Sequence, residues 1–195
     1  MKNDNANTST PASARHHHWH RCALMALAAA GVLAAALPAQ AHVTLQTRAA
    51  PVGSYYIAVL TVPHGCKGSD TVALKVQIPD GLVTVKPQVK PGWTITTTDG
   101  QYPQPAKLHG AAIDHGVREI TWRGGDLPDA YFDQFAFQGY LLPSLKPGET
   151  LYFPVVQECK QGTERWIDTS GKPGVANPAP ALELLGHKAP GPEAH

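Results

Sequence analysis

His42 directly follows a sequence typical of signal-peptidase cleavage. Pro38-Ala39-Gln40-Ala41 places small residues at the −3 and −1 positions of an A-x-A site. Cleavage after Ala41 gives His42 a free α-amine beside its own imidazole. The amine and Nδ1 close a six-membered chelate ring on one metal ion, and the amine pKa of about 8 lets a metal displace its proton near neutral pH. Tetragonal nitrogen and oxygen donors suit Cu(II) best.

The segment before His42 has the organisation of a secretory signal peptide. Residues 1–21 are polar, and the uncharged, Ala- and Leu-rich stretch 22–37 follows. We therefore predict a signal peptide over residues 1–41 and a periplasmic location for the mature protein. A membrane anchor is the alternative, but the stretch is shorter than the roughly 20 apolar residues of a span. The histidine-rich tract at residues 16–20 is removed with this segment, whether it binds metal or is a tag.

Length and composition narrow the possible protein classes. The chain has 195 residues, a formal net charge of +1 and 16% charged residues. These values disfavour a nucleic-acid-binding protein, which needs a basic surface. The 18 glycines and 18 prolines are too many for a helical bundle and follow no collagen period. We expect one turn-rich domain after the signal peptide.

Apolar residues after His42 mostly alternate with a period of two, which predicts β-strands. The predicted strands span residues 55–62, 71–78, 82–85, 93–98, 117–122, 135–142 and 150–157. Turn residues such as Asp99-Gly100 separate them. The pattern predicts an all-β fold, an antiparallel β-sandwich, over residues 42–170.

The C-terminal segment, residues 171–195, is rich in Pro and Ala. We predict a mostly disordered tail. Residues 181–185 are the one weak candidate for a helix. The alternative is that Leu182, Leu184 and Leu185 dock this segment on the sandwich.

Cys66 and Cys159 remain once Cys22 is removed with the signal peptide. An even pair of cysteines in an exported chain predicts a disulfide. A metal site with two thiolate ligands is the alternative, and the lack of a C-x-x-C pattern weakens it.

The order of several motifs resembles the YcnI-like family of exported copper-binding domains. The motifs are His42-Val43-Thr44-Leu45, Val62-Pro63 at a strand end, Pro91-Gly92-Trp93, and Gly162-x-Glu164-Arg165-Trp166. The resemblance runs from His42 to about Trp166, nearly the whole predicted domain. It implies a cupredoxin-like or immunoglobulin-like β-sandwich that binds Cu(II) through one N-terminal histidine.

The resemblance also implies residues around the metal. His42 matches the histidine that binds through its amine and Nδ1. The family's Glu ligand falls where this chain reads His64-Gly65-Cys66, and its metal-adjacent Trp falls nearest to Phe153. His64 is the natural substitute ligand, with a solvent-facing loop histidine as the alternative.

Other polar residues are weaker candidates. If Cys66 pairs with Cys159, Glu158 lies in the same region as an axial oxygen ligand, as an acceptor for an imidazole N–H, or as an exposed strand-end carboxylate. His109 and His115 lie in a predicted polar loop and are interpreted as solvated. The tryptophans of the domain are interpreted mainly as core residues: Trp93, Trp122 and Trp166.

Three functions are compatible with the sequence. We favour a non-enzymatic periplasmic Cu(II) chaperone or store, which passes copper to a membrane importer or to other periplasmic copper chaperones. A copper monooxygenase with His64 or His109 as its second histidine is the enzymatic alternative, for which the domain is small. The third is an exported assembly module without a metal, since a fold does not determine a function.

Overall fold

The computed structural model describes residues 42–108 and 110–187, and the regular structure of this part of the chain is entirely β. The predicted signal peptide, His109 and residues 188–195 lie outside it. The strands are β1 Thr44–Leu45, β2 Ala49–Pro51, β3 Tyr55–Val62, β4 Thr71–Gln77, β5 Leu82–Pro87, β6 Thr94–Leu108, β7 Ala111–Leu127, β8 Asp133–Leu141, β9 Thr150–Tyr152, β10 Val155–Cys159, β11 Thr163–Trp166 and β12 Ala181–Leu185. Over the same residues, no helix has the length and hydropathy of a membrane span.

The strands form two large sheets and one small sheet. The large sheets have the orders β1-β3-β8-β5 and β11-β10-β4-β7-β6, and the small sheet has the order β2-β12-β9. Within the described residues the strand pairs are antiparallel, apart from β2 with β12. Inward-facing side chains of both large sheets share one core, among them Leu60, Leu74 and Phe135. The predicted all-β, antiparallel sandwich is therefore confirmed.

A long hairpin of β6 and β7 is the largest departure from the predicted strand boundaries. The predicted turn at Asp99-Gly100 is wrong, because both residues lie within β6 and pair with β7. Farther along the hairpin, Tyr102 and Ala106 pack with Val83 of β5 in a separate apolar cluster. Contacts distant in sequence thus outweigh the local turn preference of Asp-Gly.

The C-terminal segment belongs to the fold, so the predictions of a disordered tail from residue 171 and of a helix at residues 181–185 are wrong. Ala181–Leu185 is β12, which pairs parallel to β2 and antiparallel to β9. Leu182 and Leu184 are 0% and 1% exposed, whereas Leu185 is 42% exposed. Docking of this segment, the alternative interpretation, is confirmed for the two buried leucines.

We expect Leu182→Ala to lower the free energy of unfolding by about 2–5 kcal/mol, the usual cost of truncating a fully buried leucine. Leu185→Ala, on the same strand but with a side chain that is 42% exposed, is the matched control and should cost at most about 1 kcal/mol. Urea unfolding measures both variants. Small and equal effects would contradict the packing of β12 on the core.

Candidate metal site around His42

Strand pairing places His42 and His64 at the same end of the first large sheet. β1 pairs with β3 so that Thr44 lies opposite Thr61. Continued two residues beyond the pairs that form, this antiparallel register would bring His42 beside Pro63, the residue directly before His64. The two histidines predicted as nitrogen donors thus flank a pair of neighbouring strands: His42 precedes β1, and His64 follows β3.

The His42 imidazole contacts the connection between β11 and β12. Its Nε2 lies 3.3 Å from the carbonyl oxygen of Ala176, and since a carbonyl only accepts, Nε2 carries the ring proton in this pair. The neutral ring then has its lone pair on Nδ1. In a chain cleaved after Ala41, Nδ1 is the nitrogen that could chelate a metal together with the free amine of the same residue, and such donors suit Cu(II).

Backbone hydrogen bonds anchor the connection that carries Ala176. The Asp168 N–H donates to the Asn177 carbonyl at 3.0 Å, and the Ala179 N–H donates to the Asp168 carbonyl at 2.8 Å. Hydrogen bonds from Ser170, first from its side chain and then from its backbone, lower the pKa of the Asp168 carboxyl. A segment predicted to be tail thus supplies the acceptor for His42.

Trp166 supplies the aromatic ring beside His42. The two ring centroids are 5.3 Å apart with an interplanar angle of 87°, an edge-to-face contact. Trp166 is only 5% exposed and therefore belongs to the core, as the sequence predicts, while one edge of its surroundings is the His42 ring. Phe153, which the resemblance implies near the metal, is buried and packs against Phe137.

The loop after β3 is tightly constrained around His64. His64 Nδ1 donates to the Gly65 carbonyl oxygen at 2.6 Å. A Cβ at position 65 would lie 1.9 Å from the Ser69 carbonyl oxygen, so a larger residue cannot fit without moving the backbone. Cys66 and Ser69 exchange two backbone hydrogen bonds, and the two residues between them have positive φ values, 53° and 87°. This is the conformation of a tight two-residue hairpin turn.

The hairpin turn presents Cys66 to the end of β10. There it forms a disulfide with Cys159, with the two Cα atoms 5.9 Å apart. The predicted disulfide is confirmed. The alternative of a two-thiolate metal site is excluded, because both sulfur atoms are used in the bond.

Lys160 holds the acidic groups next to this turn. Its Nζ lies 2.9 Å from a carboxylate oxygen of Asp70 and 2.8 Å from one of Asp126. Hydrogen bonds to Asp126 and Asp70 raise the pKa of Lys160, while those from Lys160 and from the Asp129 N–H lower the pKa of Asp70. The Asp129 carboxylate in turn accepts from the Gly65 N–H at 3.0 Å. The His64 loop is thereby fastened to the segment that follows β7.

Glu158 lies apart from this arrangement. Adjacent side chains of a strand point to opposite faces, and Gln157 of β10 is buried whereas Glu158 is exposed. In the described part of the chain, no group of three or more His, Cys, Asp and Glu residues could hold a metal ion. His42, His64 and Glu158 are therefore not a preassembled ligand set. His115 lies on β7 rather than in the predicted loop, and its exposed imidazole is 2.7 Å from a carboxylate oxygen of Asp114.

Two contributions to the site were not identified from the sequence. The Ala176 carbonyl is a main-chain group, so the residue type at this position does not predict the contact with His42. Gln157 is a fully buried amide whose Oε1 accepts from Trp166 Nε1 at 3.1 Å. The sequence does contain one indication of its role. Gln157 is a polar residue at a position of β10 whose alternate neighbours, Val155 and Cys159, are buried and apolar.

Comparisons with known proteins agree with this architecture. The family model of a domain of unknown function, DUF1775, matches residues 42–184. None of the curated proteins matches the chain. An uncharacterized Nocardia farcinica protein with an immunoglobulin-like fold is 24% identical, with a TM-score of 0.55, over 74% of this chain and 98% of its own. It supports the fold alone. The sixth cohesin of Acetivibrio cellulolyticus scaffoldin B is 13% identical over 73% of this chain and 97% of its own, with a TM-score of 0.39.

Proposed function

The chain belongs to the DUF1775 family, and we propose that its mature form is a periplasmic protein that binds Cu(II) through His42. In this proposal, cleavage after Ala41 frees the amine, which joins Nδ1 of the same residue on the metal. The copper is cargo. The protein carries or stores it and passes it to a membrane importer or to another periplasmic copper chaperone, without catalysing a reaction.

The observation that supports this function most is the contact of His42 Nε2 with the Ala176 carbonyl oxygen at 3.3 Å. A hydrogen bond from one ring nitrogen selects the tautomer in which the other nitrogen binds a metal. Here it selects Nδ1, the nitrogen that can share a chelate ring with the amine. The edge-to-face contact with Trp166 also restricts the orientation of the imidazole.

We propose His64 as a further nitrogen ligand, because it follows β3, and β3 pairs with β1, the strand that His42 precedes. Glu158 is not used in this proposal, because its side chain is exposed while the neighbouring Gln157 points into the protein. Solvent or a loop oxygen completes the coordination.

Cu(II) EPR of the protein that begins at His42 tests this ligand set. We expect one Cu(II) per protein in a tetragonal nitrogen environment with two imidazoles. His64→Ala should remove one imidazole nitrogen from the hyperfine pattern and weaken binding by about tenfold or more, or roughly 1.4 kcal/mol. His115→Ala, which removes an exposed histidine of the β6–β7 hairpin, is the control and should change neither quantity.

The outcomes separate the two parts of the proposal. If His64→Ala leaves the nitrogen count and the affinity unchanged, His64 is a bystander and the His42 chelate stands alone. If the protein that begins at His42 shows no stoichiometric Cu(II) binding, the proposed function is wrong.

A further inference from the structure

Gln157 joins the elements that surround His42. It lies on β10 with 0% exposure, and its carboxamide makes three hydrogen bonds. Oε1 accepts from Trp166 Nε1 at 3.1 Å, while Nε2 donates to the His64 carbonyl at 2.7 Å and to the Thr71 hydroxyl at 2.8 Å. These partners belong to β11, to the loop after β3 and to β4.

The partners determine the orientation of the Gln157 carboxamide. An indole Nε1 only donates and a main-chain carbonyl only accepts, so Oε1 faces Trp166 and Nε2 faces His64. Leu at this position would lose all three hydrogen bonds. Met would fill more of the same volume, but it has no donor for the His64 carbonyl and only a weak sulfur acceptor for Trp166 Nε1.

Two of the three partners link Gln157 to the surroundings of His42. The Trp166 ring meets the His42 ring with a centroid separation of 5.3 Å, and the His64 carbonyl follows β3, the strand that pairs with β1 just after His42. We propose that Gln157 is a positioning residue for the Cu(II) site. It holds the Trp166 ring against His42 and holds the His64 loop in place, without touching the metal itself. The proposal rests on the proposed function of His42.

Gln157→Leu, compared with Thr121→Val, tests this role. Thr121 is also a buried polar residue of the same sheet, and it serves as the matched control for loss of a buried polar group. We expect Gln157→Leu to bind Cu(II) about 10- to 100-fold more weakly, the usual effect of removing a group that orients metal ligands, and to give a broadened EPR spectrum with altered hyperfine coupling. Thr121→Val should keep the affinity and the spectrum of the parent. A merely structural role of Gln157 would lower only the unfolding midpoint.

A second measurement needs no copper. The ring current of Trp166 shifts the NMR signals of the His42 ring protons, so in the metal-free protein Gln157→Leu should move these signals towards their positions in Trp166→Ala. Should Gln157→Leu fail to fold, Gln157→Met replaces it, because it fills more of the buried volume but lacks the donor for His64; it should change the His42 signals and the EPR spectrum in the same direction.

The results distinguish this inference from the proposed function. Parent-like affinity, EPR and His42 signals in a folded Gln157 variant would overturn the positioning role. If the parent binds no Cu(II), the metal role of Gln157 falls together with the proposed function. The NMR shift would then show only that Gln157 orders Trp166 against His42.

Discussion

Extending the mature protein by Gly-Ser-Gly-Ser before His42 is expected to raise the dissociation constant for Cu(II) at least a hundredfold, or about 2.7 kcal/mol. The extension converts the amine of His42 into an amide, so that His42 offers the metal one nitrogen instead of a chelating pair. Four residues are preferable to one, because a new amine directly before His42 would start another chelate through the intervening amide nitrogen. Competition with a chelator of known affinity gives the constants, and EPR reports the loss of the chelate.

The same four residues added after His195 are the matched control, and this variant should bind Cu(II) like the parent. Both variants should unfold at the parent's midpoint, since the added residues precede the short strand β1 or follow the described residues. Unchanged Cu(II) affinity after the N-terminal extension would show that the metal binds away from the His42 amine, and the proposed function would have to be abandoned.

The strands that could be predicted are those whose ends coincide with a break in the local pattern. Tyr55–Val62 was predicted with its observed bounds because Ser54 precedes the alternation and Pro63 ends it. β6 was predicted too short, because Asp99-Gly100 has the composition of a turn and only the pairing with β7 carries the strand past it. Likewise β12 was not predicted, because it lies in a Pro-rich segment. Its two buried leucines form part of a strand only through pairing with β2 and β9.

The residues of the candidate site also differ in how far local sequence alone predicts them. The prediction for His42 rests on a cleavage motif and one residue type, both of which are local in sequence. The contact between Trp166 and the His42 ring was not predicted, because the pairing of β10 with β11, which the local sequence does not reveal, decides which ring reaches that end of the sandwich. The Ala176 carbonyl was not predictable, because it is brought to His42 by a connection whose composition is typical of a flexible segment.

Removing the Cys66–Cys159 disulfide is expected to be the largest single loss of stability. The cysteines are 93 positions apart, and a cross-link that closes a loop of this length contributes about 4–5 kcal/mol in the chain-entropy account. The double variant Cys66→Ala/Cys159→Ala should lose about this much free energy of unfolding, and its Tm should fall by roughly 10–20 °C. Guanidinium and thermal unfolding measure the loss. The reduced parent protein is the matched control, because it lacks the same bond but keeps both sulfur atoms.

Copper binding should respond much less than stability to this change. The His64 loop is held by two further contacts, the Gly65 N–H to Asp129 and the Gln157 amide to the His64 carbonyl, and neither requires the disulfide. We therefore expect the Cu(II) affinity of the folded double variant to change by less than about tenfold. A loss as large as that from the N-terminal extension would mean that the disulfide, rather than these hydrogen bonds, keeps the loop beside His42. An unfolding midpoint equal to the parent's would contradict the cross-link itself.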